Sequence, residues 1–420
     1  MKTLIRIINI IYIIIEFNLI ESNKKNIISF LINKLTKNQE KIGVRIKLAL
    51  EKLGPIFIKL GQILSTRIDI IPKEISEELK KLQTNTSYFS VKEIKKIIEK
   101  ETNEKIEDIF EKFNENPIAS ASIAQIHTGV LKNKNKVIIK IVKPDVEKKI
   151  IEDIKVFKKI IILINIFTTK FKRLKLKEIA NELEESLNNE LDLKNEAINA
   201  SKLKNETKKS KEIYIPKIYW EYTKKNILIM EYIEGINILN KNKIEKNNLK
   251  LEKIIKNLIN SFYKQSFKYD IFHADLHPGN IFITYNSEKI ILLDFGIVSS
   301  LNNKEKKYLS ENILAFSKKN YKKVAKLHIK SGSISNKNNI KKIEKEIALI
   351  FEPILNKSIK NISFKETFFS LMEISKKFKM QLQPKFILFQ KTLITIESIS
   401  RNLYPNINLW ETTRKSIEKI

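Results

Sequence analysis

His273-Ala274-Asp275-Leu276-His277-Pro278-Gly279-Asn280, followed fourteen residues after Asn280 by Asp294-Phe295-Gly296, decides how this 420-residue chain is read. The first segment has the H-x-D-L-x-x-x-N spacing of a kinase catalytic loop, and the second is the D-F-G that holds magnesium in such enzymes. Phosphoryl transfer needs these residue types. One carboxylate sits at the acceptor, while an amide and a second carboxylate hold Mg²⁺ over the triphosphate. Between the two segments, Ile281 to Ile283 and Ile290 to Leu293 read as a short hairpin that draws Asn280 and Asp294 together. A D-F-G alone carries almost nothing; the joint spacing carries the argument.

Upstream, Val137-Ile138-Ile139-Lys140-Ile141-Val142 is a β-branched run with one lysine embedded in it. Lysine suits a strand poorly, and an internal one needs a partner for its charge. Alone it reads as an edge-strand residue facing water; beside the catalytic loop it reads as the lysine of the α/β-phosphates. Before it, where a glycine-rich loop belongs, stands Ile118-Ala119-Ser120-Ala121-Ser122-Ile123-Ala124-Gln125-Ile126, without glycine. Small side chains let backbone N–H groups approach phosphates, although alanine resists the positive φ that glycine accepts. Such a run alone marks a tight packing contact; its place before the Lys140 strand makes it nucleotide cover.

Earlier still comes Gly54-Pro55-Ile56-Phe57-Ile58-Lys59-Leu60-Gly61-Gln62-Ile63-Leu64-Ser65-Thr66-Arg67-Ile68-Asp69. At helical spacing Phe57, Leu60, Leu64 and Ile68 form an apolar stripe, and Lys59, Gln62, Ser65 and Asp69 a polar one. Periodicity alone would make this a surface helix with a solvated face.

Together Lys59-Leu60-Gly61-Gln62, the alanine-rich loop, the Lys140 strand and His273 to Asn280 resemble the UbiB family of atypical kinase-like proteins. The likeness runs from about residue 40 to about 410 and is especially close to the bacterial ubiquinone-biosynthesis members. It also takes in Tyr214-Ile215-Pro216 and the segment from Tyr308 to Phe316. It implies an α+β, bilobal protein-kinase-like fold with an N-terminal helical extension that covers the active site with its K-x-G-Q residues. Three parts are expected: an extension over 1–110, a kinase-like N-lobe over 111–235, and a mainly helical C-lobe over 236–420.

Carried over residue by residue, the resemblance implies Asp275 as the catalytic-loop aspartate. Asn280 and Asp294 become the Mg²⁺ ligands and Lys140 the phosphate lysine, with ATP and Mg²⁺ as cofactors. The family's E-x-D corresponds to Glu190-Leu191-Asp192. Glu196 is assigned to Lys140, and Glu190 and Asp192 to the Lys59–Gln62 helix. Residues 178–200 read as one helix on which Asp192 and Glu196 share a face and Glu190 does not. Which carboxylate meets Lys140 stays open at this stage.

Ala274 stands where many protein kinases have the arginine that reads a phosphorylated activation loop, and no A-P-E follows Asp294-Phe295-Gly296. Control by activation-loop phosphorylation and action on large protein substrates are therefore not expected. The resemblance implies an ATPase or kinase for ubiquinone biosynthesis that acts on or extracts a lipid intermediate, or regulates a biosynthetic complex. A non-catalytic nucleotide-binding scaffold and a small-molecule phosphotransferase of the aminoglycoside-kinase type are the alternatives. The latter class has no reason to carry Lys59 to Gln62.

The formal net charge of +31 would ordinarily point to nucleic acid or an anionic membrane. Only six of the 79 basic residues are arginine, however, and lysine, isoleucine and asparagine pervade the chain. No base-reading surface is gathered, so no nucleic acid is expected, whereas an anionic membrane surface is. Ubiquinone-biosynthesis proteins or lipid intermediates are the other expected partners. The absence of cysteine excludes disulfides and thiolate metal sites. Of the four histidines, His127 and His328 read as packing or hydrogen-bonding residues.

Ile7 to Ile15 is apolar except for Asn9 and resembles a signal core, but it is short and lacks a cleavage pattern. Residues 160–167 are too short to span a bilayer. A peripheral place on the cytoplasmic face of the inner membrane is expected, with the first twenty residues either on the membrane or packed on the extension. Asn226 to Met230 reads as a strand leading to a hinge at Glu231-Tyr232-Ile233. The chain after Leu301 reads as helical C-lobe core without a catalytic constellation, and Pro384 opens one of its helices.

Overall fold

In a computed structural model of the chain the described residues are 2–19, 40–66, 71–82, 89–120, 123–167, 176–331, 340–355, 363–378, 380 and 383–420. They fall into two compact units. The first is Met1–Asn195 with Tyr219–Met230, and the second is Glu196–Ile218 with Glu231–Ile420.

The first unit opens with helices α1 (Lys2–Glu16), α2 (Ile42–Leu53), α3 (Pro55–Thr66) and α4 (Lys73–Leu79). Gly54, at φ 105°, lies in backbone space that side-chain-bearing residues avoid, so it ends α2; Pro55 then starts α3 with no N–H to orphan. Gly61 lies where α2, α3 and α4 meet. A Cβ on it would sit 2.3 Å from Leu82 Cδ1 and 2.7 Å from Leu50 Cδ1. Ile68 and Asp69 of the expected stripes lie outside the described residues.

Next come α5 (Val91–Thr102), α6 (Ile106–Ile109), β1 (Phe110–Phe113), β2 (Ala119–Ser120), β3 (Ala124–Leu131) and β4 (Lys136–Val142). The Ser90 hydroxyl caps α5 by accepting from Glu93 N. Helices α7 (Val146–Phe167) and α8 (Leu176–Leu191) follow; the chain then enters the second unit for most of α9 (Leu193–Glu206) and for β5 (Ile213–Tyr214), and returns for β6 (Ile227–Glu231), which completes the sheet. Its order is β1-β3-β4-β6, with β2 on β3. Val137, Ile139 and Ile141 of β4 pack with Ile94 and Ile98 of α5 and Ile227 and Ile229 of β6, all 0% exposed. Burying each such side chain contributes about 1.5–3 kcal/mol, which holds α5 to the sheet.

α1 packs on α2 and α7. Ile10 and Ile13 are buried, and Arg6 bonds Asp153 at 2.9 Å and the Leu53 carbonyl at 2.8 Å. On its other face Ile5, Ile8 and Tyr12 are 59, 57 and 62% exposed. The first helix thus packs on the extension and still offers an apolar stripe.

The expected single helix over 178–200 is corrected. α8 ends at Leu191 and α9 starts at Leu193. The Asp192 carboxylate accepts from Lys194 N at 3.0 Å, an aspartate bond to local backbone that favours a helix start over a helix interior. The shared-face argument for Asp192 and Glu196 falls with it.

The second unit holds β7 (Ile236–Asn237), α10 (Lys241–Lys246), α11 (Leu251–Phe267), β8 (Phe272–His273), a 3₁₀ turn at Pro278–Asn280, β9 (Ile281–Ile283), β10 (Ile290–Leu292) and β11 (Val298–Ser299). A sheet of order β5-β10-β9-β7 stands beside the β8–β11 pair. The expected hairpin is present, with Ile290 opposite Ile283 and Leu292 opposite Ile281. Six helices follow: α12 (Asn303–Ser317), α13 (Tyr321–Lys330), α14 (Ile340–Leu355), α15 (Phe364–Lys377), α16 (Pro384–Leu403) and α17 (Leu409–Glu418). An Asn302/Glu305 capping box opens α12, and Pro384 occupies the first turn of α16.

Phe389 of α16 packs against Phe262 at 5.1 Å and Phe272 at 5.9 Å, which ties the helical region to the strand before the His273 loop. The chain passes from the first unit to the second between Met230 and Glu231. There the Glu231 carboxylate accepts from Tyr214 OH at 2.8 Å and Lys217 N at 2.9 Å.

Candidate nucleotide and metal site

In the second unit His273 braces the two halves of the motif. Its Nε2 lies 2.6 Å from the Asp294 carbonyl and its Nδ1 lies 3.3 Å from the Asp275 amide. A carbonyl can only accept and an amide N–H can only donate, so both bonds require a neutral ring with the proton on Nε2. Burial lowers the His273 pKa and favours that neutral form. The loop is held further by Ala274 N to the Ile297 carbonyl at 3.1 Å and Leu293 N to the Asn280 carbonyl at 2.9 Å. His277 Nδ1 accepts from Gly279 N at 3.1 Å and shapes the turn that presents Asn280.

Asn280 Nδ2 and Asp294 Oδ2 are 3.5 Å apart. Asp294 adopts φ 64°, a left-handed conformation uncommon for a residue with a side chain, and its Oδ1 accepts from Gly296 N at 3.1 Å. From α9, Glu196 Oε1 accepts from Phe295 N at 3.3 Å while Asn199 Nδ2 donates to the Phe295 carbonyl at 3.0 Å. One helical turn therefore grips both backbone groups of the D-F-G phenylalanine.

Asp275 has a contact that the sequence did not suggest. Lys391 Nζ, from α16, donates to Asp275 Oδ1 at 2.6 Å. The helical region after Leu301 thus delivers a cation to Asp275, although no site residue was expected there. No spacing signal could have revealed a partner 116 positions away. Asn199 was missed for the same reason.

In the first unit Lys140 stands on β4 opposite Ile126 of β3, and Ile126 in turn stands opposite Ala119 of β2. Paired residues share a face, so Lys140, Ile126 and Ala119 line the side opposite the Ile94–Ile98 core. Ala121 and Ser122 lie outside the described residues. Ile118 is exposed, and Ile123, Ala124 and Gln125 are buried. The Gln125 amide is engaged on the core face, where it accepts from Phe89 N at 2.8 Å and meets His127 Nε2 at 3.0 Å. His127 also bonds the Asn114 carbonyl and stacks on Phe113, the packing role expected of it.

The Lys59 ammonium of α3 pairs with Glu190 near the end of α8. The Gln62 backbone carbonyl accepts from the Ser65 hydroxyl at 2.6 Å, and Asp192 caps α9 as described.

The fit to a divalent cation rests on Asn280 and Asp294. An amide and a carboxylate side by side supply the hard oxygen ligands that Mg²⁺ takes, and a half-turn of the Asn280 amide about Cβ–Cγ exchanges its N for its O.

Residues 81–328 match the ABC1 atypical kinase-like domain, and residues 347–408 match the UbiB helical domain. A protein of Marinobacter nauticus named "Probable protein kinase UbiB" is 39% identical over 379 residues, covering 90% of this chain and 69% of that protein. A protein of the same name from Cellvibrio japonicus is 38% identical over 380 residues, with 90% and 69% covered. Among solved structures, a Mycobacterium tuberculosis protein in complex with erythromycin superposes with a TM-score of 0.58 at 20% identity. It covers 92% of this chain and 100% of the other, a likeness of fold. The motif geometry, both domain matches and the relatives agree: the chain belongs to the UbiB family of ABC1 atypical kinase-like proteins.

Proposed function

We propose that this protein binds Mg-ATP and turns it over as an atypical ATPase or kinase in ubiquinone biosynthesis. The observation that carries the reading is the assembly of Asp275, Asn280 and Asp294 within one unit, braced by His273. The biosynthetic role follows the name of relatives such as the Marinobacter nauticus protein. In this reading Asn280 and Asp294 hold the metal, Asp275 sits at the acceptor, and Lys140 and the β2–β3 segment serve the nucleotide. Bound Mg-ATP supplies the transferable phosphoryl group and the cation that neutralises its charge. Glu196 and Asn199 keep the backbone that carries Asp294 in place, and Lys391 orients the Asp275 carboxylate.

The proposed substrate is a lipid intermediate or a partner in a biosynthetic complex, met at an anionic membrane surface. No helix among the described residues is long and apolar enough to cross a membrane. The exposed stripe of Ile5, Ile8 and Tyr12, on a chain of net charge +31, supports peripheral docking.

One observation favours a second reading, a nucleotide-binding scaffold: the Asp275 carboxylate is bonded to an ammonium instead of standing ready to take a hydroxyl proton. Calorimetric titration of ATP with and without Mg²⁺ tests the shared part of both readings. Binding that strengthens with Mg²⁺ in wild type, and loses that dependence in Asp294→Asn, is expected. ATP affinity indifferent to Mg²⁺ in both proteins would refute it.

A further inference from the structure

Phosphoryl transfer spreads negative charge over the oxygens of the moving group, so a site for it needs positive charge beyond that of the metal. The loop from His273 to Asn280 holds no lysine or arginine. The next one along the chain, Lys289, stands in the turn of the β9–β10 hairpin, where its N–H donates to Thr284 Oγ1 at 3.0 Å. His277 spends its Nδ1 on Gly279 N. The cation at this loop comes instead from Lys391 of α16, whose Nζ lies 2.6 Å from Asp275 Oδ1. His273 ties the Asp275 amide to the Asp294 carbonyl, so Lys391 reaches the same braced loop that carries the metal ligands.

Two features distinguish Lys391 from a lysine that holds the fold together. The side chains of the pair are 40 and 43% exposed, and an ion pair so open to water adds little to stability. The helix beneath it, by contrast, is firmly seated. Phe389, Thr392 and Leu393 are 0, 1 and 3% exposed, and Phe389 packs against Phe262 and Phe272. A fixed helix thus presents an ammonium that a ligand can reach. Asp275 Oδ1 takes one of its three N–H donors and leaves two for that ligand. Charge points the same way: Asp275 alone would repel a polyanion, whereas the Asp275–Lys391 pair is close to neutral.

We propose that Lys391 is a phosphoryl-binding residue, its ammonium contacting the terminal phosphoryl group of the nucleotide while it stays paired with Asp275. The contact rests on the nucleotide reading and adds a ligand to the orienting role of this lysine. The ligand class is narrow. It is the third phosphoryl of a nucleoside triphosphate, or a group of the same charge and shape, and neither the base nor the first two phosphates. Lysine suits the task, because a compact charge with rotatable donors serves a carboxylate and a phosphoryl oxygen at once, while a guanidinium fork is set for one planar partner.

Release of N-methylanthraniloyl-ADP from the 420-residue chain in Mg²⁺, with and without beryllium fluoride, tests the contact. Beryllium fluoride beside ADP takes the place of the terminal phosphoryl group. In wild type it is expected to slow release by about tenfold or more, the worth of one charge-assisted contact. Lys391→Met should release the ADP probe itself at close to the wild-type rate and lose most of that slowing, and Lys391→Arg should recover part of it. Lys391→Gln, with its melting temperature measured alongside, repeats the test with a polar side chain that has no charge. Asp275→Asn should keep the slowing, since the lysine binds the group itself; loss of it there would mean that Lys391 acts only through the carboxylate, and would overturn the contact. Undiminished slowing in Lys391→Met and Lys391→Gln would overturn it too, as would a wild type that binds Mg-ADP and ignores beryllium fluoride. A wild type that does not bind Mg-ADP would instead refute the nucleotide reading, and this contact with it.

Discussion

Asp275 and Lys391 are each about two-fifths exposed, at 43% and 40% of their side chains, so their ion pair adds only about 0–1 kcal/mol to stability. Its importance is local charge. Lys391→Met is expected to lower Mg²⁺-dependent ATP turnover by roughly ten- to a hundredfold while leaving the melting temperature nearly unchanged, and Lys391→Arg should recover part of the loss. Turnover in Lys391→Met equal to or above wild type would instead mean that the lysine restrains Asp275.

His328 makes a prediction in pH. Its pKa falls from 6.5 to about 4 on folding because burial penalises the charged ring. Above pH 6.5 both states are neutral and nothing changes. Between pH 6.5 and 4 the unfolded chain takes up a proton that the folded chain refuses, so stability falls by about 1.4 kcal/mol per unit, roughly 3 kcal/mol in all. His328→Phe should flatten that part of the acid limb of the melting curve. His127 and His273, also shifted down by burial, leave the rest of it in place.

Between elements, the Lys59–Glu190 pair joins α3 to α8 with side chains 17 and 20% exposed. Removing one partner strands a half-buried charge. Lys59→Met alone should therefore cost about 1–3 kcal/mol, and the double variant with Glu190→Gln should cost less than the two single variants summed. Chemical denaturation of the four proteins checks this cycle. Gly61→Val should lower stability by about 1–3 kcal/mol, because the Leu50 and Leu82 methyl groups already fill the space a side chain needs.

The elements legible in the sequence were those fixed by local spacing. The Ile281–Leu292 hairpin, the Lys140 strand and the Pro384 helix start follow from alternation and turn chemistry over a few residues. The break at Asp192 was not legible. Leucines recur evenly through α8, and the bond from Lys194 N to the Asp192 carboxylate leaves no mark on that periodicity. Nor was the role of α16, where apolar spacing identified a core helix and hid Lys391, which reaches Asp275.

At the scale of the whole molecule, the charge of +31 and the apolar stripe of α1 are expected to act together on an anionic membrane. In vesicle sedimentation the protein should bind phosphatidylglycerol-containing membranes and release in high salt. Ile5→Asp with Ile8→Asp should weaken binding at least fivefold while leaving the fold intact. The family resemblance was legible from about residue 40 to about 410 because each of its motifs is contiguous in sequence.

The central claim is that Asp294 and Asn280 hold a metal for ATP chemistry. Steady-state ATP turnover by the 420-residue chain, titrated with Mg²⁺ and repeated with Asp294→Asn, tests it most directly. The account predicts turnover that requires Mg²⁺ and falls at least a hundredfold in the variant, with its melting temperature retained. Turnover independent of Mg²⁺, or equal in wild type and Asp294→Asn, would contradict it.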